Sequence, residues 1–385
     1  MPVSEPNNDR ICIQCIMDTT DGDISFDEKG VCNHCHAYVE ANRINPSEIA
    51  AFNRTIDEIR QLKGKYNCLV GVSGGLDSTF LLIHAVQDLK LRPLAVHVDN
   101  GWNTGLANTN IVNLCNSMGV DLYSEVLDWD EFKKMQLAVL DASTPDLEAP
   151  TDLFINYTLR RVAKQFDIKH VLAGTNPQTE AVMGSNWSYG QRDPIYLKGL
   201  YQRTWGGKPK KLPFKNWYLA LLERFIGGLN IVRPLKYTRY GKNIAVERSQ
   251  RESAWVEYPR KHGESFITRF YQDYFLPQRF GFDKRKAHLS GLILNGDITR
   301  DEALRILHQD ELQAPEHHEA DIAYLCTKLE ISREQFNDYM SRPLLFHGSY
   351  RSIKTHLLFR IFKYLKSSGL LPKFISRQLE KIVLH

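Results

Sequence analysis

No stretch of the 385-residue chain reaches the roughly 18 consecutive apolar residues of a membrane-spanning helix, so the sequence reads as a globular protein. Neither sign of charge is in large excess. Lys and Arg number 49 against 45 Asp and Glu, a formal +4 that is too mild for a whole-chain nucleic-acid binder. The opening MPVSEPNNDR lacks the apolar run of a secretory signal, which sets the expectation of a cytoplasmic protein. There is no internal repeat and no low-complexity block. Cysteine is sparse, and four of the seven fall in two close pairs; that usage suits metal binding in a reducing compartment better than a disulfide framework.

Those pairs are Cys12-x-x-Cys15 and Cys32-x-x-Cys35, sixteen residues apart. Each forms a knuckle presenting two thiolates, and two knuckles complete a tetrahedron around Zn²⁺. A closed four-thiolate site keeps no open position, so this metal is expected to be structural. His34 and His36 stand beside the second pair as alternative ligands, and an iron–sulfur cluster is the alternative occupant. Cys68, Cys115 and Cys326 lie in apolar or helical contexts and read as core residues.

The most informative run is CLVGVSGGLDST, residues 68–79. A buried strand ends at Val72, a Ser-Gly-Gly turn follows, and Asp77-Ser78-Thr79 opens a helix. Glycines let backbone N–H groups crowd an anion, and the helix N-terminus adds positive potential. Ser73, Ser78 and Thr79 add hydroxyl donors. No Lys follows the glycines, so the Walker pattern is not met. The segment instead resembles the pyrophosphate loop of the ATP pyrophosphatases, the PP-loop family. Asp77 is read either as a holder of Mg²⁺ near the phosphates or as an ordinary acid at a helix N-terminus.

Strands and helices alternate around this run. A helix over Ile49–Lys63 precedes the strand Cys68–Val72. Strands Leu94–Val98, Asp121–Val126, His170–Ala173 and Ile231–Val232 follow, separated by helices Leu106–Met118 and Leu153–Phe166, the latter capped by Thr151 or Asp152. Such spacing implies right-handed βαβ units and a parallel sheet with ligands beyond the carboxyl ends of its strands. That rule gathers Ser73–Ser78, Val98 and Asp99 with the following Asn100-Gly101, and Gly174-Thr175-Asn176 around one crevice. The expected ATP contacts are Ser73, Gly74, Gly75, Asp77, Ser78, Thr79, Val98, Asp99, Gly174 and Thr175. Asp77, Ser73 and Ser78 are the expected catalytic residues.

The fold class expected is α/β. A parallel-sheet PP-loop domain (adenine nucleotide α-hydrolase-like) carries an N-terminal zinc-ribbon module and a mostly helical C-terminal region. Along the chain this reads as 1–45 metal module, 46–240 ATP-binding domain with a basic, Pro/Gly-rich insert or flap at 188–228, 241–345 helical region and 346–385 basic tail. Thr299 followed by Glu302 marks a capping box for Thr299–His308. Residues 350–385 hold eight Lys/Arg against one acid, with Ile353, Leu357, Leu358, Ile361, Phe362 and Leu365 at helical spacing. This tail suits an ordinary terminal helix, a membrane surface or a partner protein.

CIQCIMDTTDGDISFDEKGVCNHC, GVSGGLDST, VHVDNGWN, LAGTNP and FYQDYFLPQRFGFDKRKAHLSGLILNGDITRDEAL together resemble the N-acetyl sugar amidotransferase family, associated with O-antigen and flagellin sugars. The resemblance runs over most of residues 10–310. It implies ATP- and ammonia-dependent conversion of an acetamido group on a nucleotide-linked sugar to an acetamidino group. It also implies ammonia supplied by a separate glutaminase with a cyclase-like companion, and nothing in this chain resembles a glutaminase nucleophile site. Where the family often has Gly-Gly before Lys-His, this chain has Tyr258-Pro259-Arg260.

The helical region offers Arg260-Lys261-His262, Arg269, Lys284-Arg285-Lys286 and His288 among Phe266, Phe270, Tyr271 and Tyr274. Cations bind phosphate or uronate oxygens, and rings pack on sugar or base faces. Lys261, His262, Glu264, Arg269, Lys284 and Arg285 are the expected substrate contacts, with Asp283 a further candidate; equally, such charges commonly form solvated helix faces. Two competing readings are a tRNA-modifying PP-loop thiolase and a non-catalytic scaffold. Against the first, no C-x-x-C follows residue 35, and no stable nucleic-acid partner is expected.

Overall fold

A computed structural model describes residues 10–184, 187, 193–214, 228–309 and 315–368. The readings placed on residues 1–9, on 188–192 and 215–227 of the insert, and on 369–385 of the tail lie outside the described residues.

Strands β1 (Cys68–Gly71), β2 (Pro93–Asp99), β3 (Leu122–Val126), β4 (His170–Leu172) and β5 (Asn230–Val232) form one sheet of order β3-β2-β1-β4-β5. Every pairing is parallel, with Leu69 opposite Leu94 and Val171, and His170 opposite Asn230. Alternate side chains enter opposite cores, as the pleat requires. Cys68, Val70, Val72, Ala95 and Leu172 pack into one apolar cluster, and Leu69, Leu94, Val96 and Val171 into the other. Burial on both faces explains why β1 and β2 read as near-continuous apolar runs. The chain order reverses between β1 and β4, which puts the ligand crevice at their carboxyl ends. The expected fold class is the one found: a parallel α/β sheet, an N-terminal four-cysteine module and a helical C-terminal region.

The chain folds as two compact units, each assembled from separated stretches: 1–127, 158–187 and 229–333 in the first, and 128–157, 188–228 and 334–385 in the second. The sheet belongs to the first unit. In the second, helix Trp129–Asp141 packs against helix Pro194–Trp205. Phe154 meets Phe132 and Phe214 edge-on at centroid separations of 6.1 and 5.0 Å. Asp193 caps helix Pro194–Trp205 through the amides of Ile195 and Tyr196 and also accepts the Ile353 amide at 2.7 Å.

Local structure departs from the sequence reading in four places. The part of the insert read as a flap contains helix Pro194–Trp205; an Asp cap and Pro at its first position start it despite the surrounding glycines. Helix Trp129–Asp141, capped by Asp128, was not anticipated. Helix Ala149–Gln165 begins before Thr151 and Asp152, which therefore lie inside it rather than capping it. Helix Pro46–Gln61 starts earlier than Ile49 because Asn45 accepts the Glu48 amide at 2.9 Å. The Thr299 cap on Arg300–His308 matches its reading, with the hydroxyl taking the Glu302 amide at 3.2 Å. Among the described residues no helix is long and apolar enough to cross a membrane.

Candidate active site and metal centre

Five stretches of the first unit, one of them carrying Tyr240 and Lys242, line a cavity of about 390 Å³. The turn after β1 forms its floor through Ser73, Gly75, Asp77 and Ser78. Beside it lies the turn after β4, Gly174-Thr175, with Thr179 and Glu180 of the short helix Pro177–Glu180. Helix Lys284–Asn295 contributes His288 and Leu292, and the irregular segment 255–264 forms the facing wall.

The turn's shape follows from its residues. Gly74 adopts φ +81°, the left-handed region that glycine alone enters freely. A Cβ there would stand 2.7 Å from the Ala107 carbonyl oxygen of helix Gly105–Met118. The Ser78 hydroxyl takes the Ser73 amide at 3.2 Å and donates to the Gly75 carbonyl at 3.1 Å, tying the turn to the first helical turn. Leu76, Asp77 and Ser78 occupy the first turn of helix Leu76–Ile83, where amides have no intrahelical acceptor and point toward the cavity end of the helix. We expect Gly74→Ala to destabilise the protein by about 2 kcal/mol, from backbone strain and the clash together. A melting temperature equal to the native protein's would contradict this.

The facing wall is latched to the same turn. The Gly74 carbonyl accepts Trp255 Nε1 at 2.8 Å and the Tyr258 hydroxyl at 3.1 Å. Asn110 holds that wall by exchanging hydrogen bonds with both backbone groups of Val256. Tyr258, the departure from Gly-Gly, is therefore a buried support under the loop, and it lies so close to Gly263 that a Cβ there would approach to 2.7 Å. His262 sits at φ +63°, an uncommon conformation for a residue with a side chain.

Asp77 is the acid at the floor. Burial pushes its carboxyl up; Lys261 opposes this and Glu180 adds to it. The Tyr240 hydroxyl donates to Asp77 Oδ1, and burial keeps that phenol protonated. Tyr240 is held in turn by Gln178 Oε1 on its amide, by Asn295 Nδ2 on its carbonyl and by an edge contact with Phe80 at 5.1 Å. Lys261 Nζ lies 3.5 Å from Glu180 Oε1 and 3.5 Å from His288 Nδ1. Burial, with Lys261 and His262 nearby, keeps His288 neutral. Burial raises Glu264, but the His262 hydrogen bond and Lys261 outweigh it, so Glu264 stays ionised. Its carboxylate rests against the turn, 2.9 Å from the position a Gly75 Cβ would take.

The structure thus brings Ser73, Gly75, Asp77, Ser78, Gly174 and Thr175 together with Lys261, His262 and Glu264 around one cavity. Other expected contacts have different work. The Thr79 hydroxyl is buried and donates to the Gly75 carbonyl at 2.9 Å, and Gly74 lies beneath the turn. Val98 and Asp99 end β2 outside the lining; Asp99 spends its carboxylate on the Gly101 amide at 2.8 Å. The loop after them instead clamps the facing wall, through Thr104 N to Glu264 O and Phe266 N to Trp102 O, both 3.0 Å, with Trp102 stacked on Phe266. Arg269 is bidentate to Asp321 at 2.6 Å, Arg285 pairs with Asp283, and Lys284 is buried over the Tyr271 ring at 4.9 Å. Those three cations support the helical region rather than line the cavity. Tyr240, Glu180, Trp255 and Lys242 line it without a sequence signal, because each lies in an unpatterned stretch far along the chain from the loop.

Removing the Tyr240 hydroxyl tests its hold on Asp77. Tyr240→Phe deletes one hydrogen bond to a half-buried carboxyl, so turnover at this cavity, measured as consumption of ATP, should fall by roughly 10- to 100-fold. Activity within twofold of native would show that the contact is packing only.

The four cysteine sulfurs lie within 4.8 Å of one another, all buried. Cys12–Cys35, Cys15–Cys32 and Cys32–Cys35 separations are 3.8, 3.6 and 3.7 Å. Four sulfurs at the Zn–S bond length of ~2.3 Å around one ion stand about 3.8 Å apart, so the donor set fits a single tetrahedral ion. A four-iron cluster, with a cube of iron and sulfide between its ligands, spreads its cysteines much wider. Thiol–thiol hydrogen bonds hold Cys32 far down, to about 2, and push Cys15 up to about 12. The imidazole of His34 is turned to Asp21, at 2.6 Å, and that of His36 to Asp27 at 3.0 Å, so neither histidine joins the set. Cys68 and Cys115 are core thiols raised by burial to about 12 and about 11.

Residues 264–366 match the family model described as "LPS biosynthesis protein WbpG-like, C-terminal domain". Over 155 residues the chain is 26% identical to the uncharacterized protein MJ1599 of Methanocaldococcus jannaschii, covering 39% of this chain and 53% of that protein. The chain therefore spans about half the length of the curated relative it matches. Solved structures with similarity include NMN synthetase from Francisella tularensis, at 15% identity and TM-score 0.27, covering 35% of this chain and 57% of that one. The U34-tRNA thiolase NcsA from Methanococcus maripaludis, with its 4Fe-4S cluster, gives 13%, 0.32, 78% and 87%. NH3-dependent NAD synthetase from Campylobacter jejuni subsp. jejuni gives 12%, 0.31, 78% and 99%. Glu264, Lys284, His288 and most of the basic helix beyond residue 356 fall within the segment that matches the WbpG-like C-terminal domain model of LPS biosynthesis proteins.

Proposed function

We propose that this chain is an ATP-dependent amidotransferase of surface-polysaccharide biosynthesis. It adenylylates the acetamido oxygen of a nucleotide-linked N-acetyl sugar and installs ammonia, giving an acetamidino sugar. The observation that carries the reading is the shared cavity: the Ser73–Ser78 turn and the 255–264 wall are hydrogen-bonded to each other and face one space. An anion-binding turn supplies the ATP half. Lys242 and Lys261, on or beside the opposite wall, supply cations for an anionic acceptor. The WbpG-like match over the wall's Glu264 and beyond supports a role in polysaccharide biosynthesis.

In the reaction the amide oxygen attacks the α-phosphorus, the bond to the β-phosphate oxygen breaks, and pyrophosphate leaves. Ammonia adds to the activated carbon, a proton is lost, and AMP departs with the original oxygen. Loop amides and the Ser73 and Ser78 hydroxyls stabilise the charge that moves onto pyrophosphate. Asp77 and Glu180, which both line the cavity, are the carboxylates that would hold Mg²⁺, and Mg²⁺ held there would neutralise the leaving group. Zn²⁺ is assigned to the four cysteines as a structural ion, and ammonia to a separate glutaminase with its cyclase-like companion. A sulfur-transfer reaction would want a thiol at the cavity, and no cysteine is among its lining residues.

The test is mass spectrometry of a panel of nucleotide-linked N-acetyl sugars incubated with protein, ATP, Mg²⁺ and ammonium, with pyrophosphate followed in parallel. A product carrying NH in place of one oxygen, formed with stoichiometric AMP, is expected. Pyrophosphate release that requires tRNA and leaves every sugar unchanged would replace this reading with the thiolase one.

A further inference from the structure

Helix Leu357–Ser367 in the second unit has no role in the cavity chemistry, yet its surface is unusual. Leu357, Ile361 and Tyr364 are 67%, 45% and 70% exposed. Spaced four and three residues apart, they line one face of the helix. Single exposed apolar residues are ordinary, but a row of three on one short helix is a contact surface awaiting a partner. The charge around it has one sign. From Tyr350 to Ser368 there are five Lys/Arg and no Asp or Glu, and the cations Lys354 and Arg360 are exposed.

We propose that this helix docks the protein on the surface of an anionic phospholipid bilayer. Its 11 residues are too few to span the hydrocarbon core, which needs about 20. Lying in the interface, Leu357, Ile361 and Tyr364 enter the acyl boundary while Lys354 and Arg360 meet phosphate headgroups. Charge selects this occupant over a second copy of the chain, because self-docking through this face would bring two basic segments together without a compensating acid. It also fits lipid better than nucleic acid, whose backbone uses cations but gives a Leu–Ile–Tyr row nothing to bury against.

The full-length protein is sedimented with phosphatidylcholine vesicles, with and without phosphatidylglycerol, at low and physiological salt. Binding to the phosphatidylglycerol vesicles, weakened by salt and absent from pure phosphatidylcholine, is expected. Ile361→Glu with Tyr364→Glu should lower the bound fraction by about tenfold or more through lost apolar burial. Lys354→Gln with Arg360→Gln changes only exposed cations and so should leave folding intact while also reducing binding by about tenfold. Pyrophosphate release in solution should be unchanged in both. The proposal is overturned by equal sedimentation with neutral vesicles, by none with anionic ones, by charge variants that bind as well as native, or by a native dimer that the Ile361/Tyr364 variant converts to monomer.

Discussion

Asp77→Asn should abolish nearly all pyrophosphate release while making the protein more stable. The two effects have one cause. The carboxylate is held at the cavity floor where burial raises it, with Glu180 adding repulsion that Lys261, Tyr240 and His262 only partly offset. For an acid raised on folding, the native state binds more protons than the unfolded chain. Stability is therefore greatest at acid pH and falls as pH rises from the ordinary Asp value through the raised one. At neutral pH an ionised Asp77 thus costs the fold free energy that a neutral Asn does not. Asn can still accept the Tyr240 hydroxyl, so packing is preserved. Its loss is electrostatic: the Asp77 carboxylate is no longer there to help hold a cation against the phosphates, and removal of one preorganised group of this kind lowers turnover by about 100- to 1000-fold. The measurements are pyrophosphate release and thermal unfolding from pH 4 to pH 8. Native-like turnover would remove Asp77 from the chemistry. A melting temperature lowered at neutral pH would show that its charge is compensated in the folded state. Stability given up at a site for function is a familiar pattern.

Stripping the metal should disable the cavity without touching any residue that lines it. The four-cysteine module is anchored on helices Lys284–Asn295 and Arg300–His308, the first of which lines the cavity. Arg300 donates to the carbonyls of Cys12 and Cys15 at 3.1 Å each, the Ile16 amide donates to Ser290 Oγ at 3.1 Å, and Lys286 pairs with Asp18. The cysteines also share an apolar cluster with Val182, Trp187 and Ala287. Ser290 and Ala287 belong to helix Lys284–Asn295, which carries His288 into the cavity. That helix packs so closely on Thr179 that a Cβ on Gly291 would stand 2.7 Å from the Thr179 carbonyl. Without a cation, four buried sulfurs lose the bonds that hold two knuckles together, and in small zinc domains metal binding supplies most of the folding free energy. Cys32→Ser, or extended chelation of native protein, should release one zinc per chain, lower the melting temperature by several degrees and cut pyrophosphate release by about tenfold or more. Loss of metal with unchanged activity and proteolysis pattern would show that the module is independent of the cavity. Recovery of iron and sulfide in place of zinc would refute the single-ion fit.

Much of this architecture is legible in the residues themselves. β1 and β2 show as apolar runs because both faces of the sheet are covered, and the Ser73–Thr79 run shows because a tight strand-to-helix turn demands small residues in a fixed order. The cysteine spacing shows because two knuckles must reach one ion. Helix Pro194–Trp205 was hidden by the glycines and basic residues downstream of it, although its Asp-Pro start was a usable signal. The cations of the helical region misled for a different reason. Arg269, Arg285 and Lys284 look like Lys261 and His262 in sequence, and only the presence of Asp321, Asp283 or the Tyr271 ring separates structural cations from those that face the cavity.

By itself the amino-acid order determined the elements with local causes: strand periodicity, the glycine turn, the helix caps and the paired thiols. Tertiary structure alone decided which distant groups meet them. Tyr240 reaches Asp77 across 163 positions, and Trp255 and Tyr258 grip Gly74 across 181 and 184. Pairings of that kind leave no periodic trace, because they arise from how packed helices and loops converge on the ends of β1 and β4 rather than from any repeat along the chain.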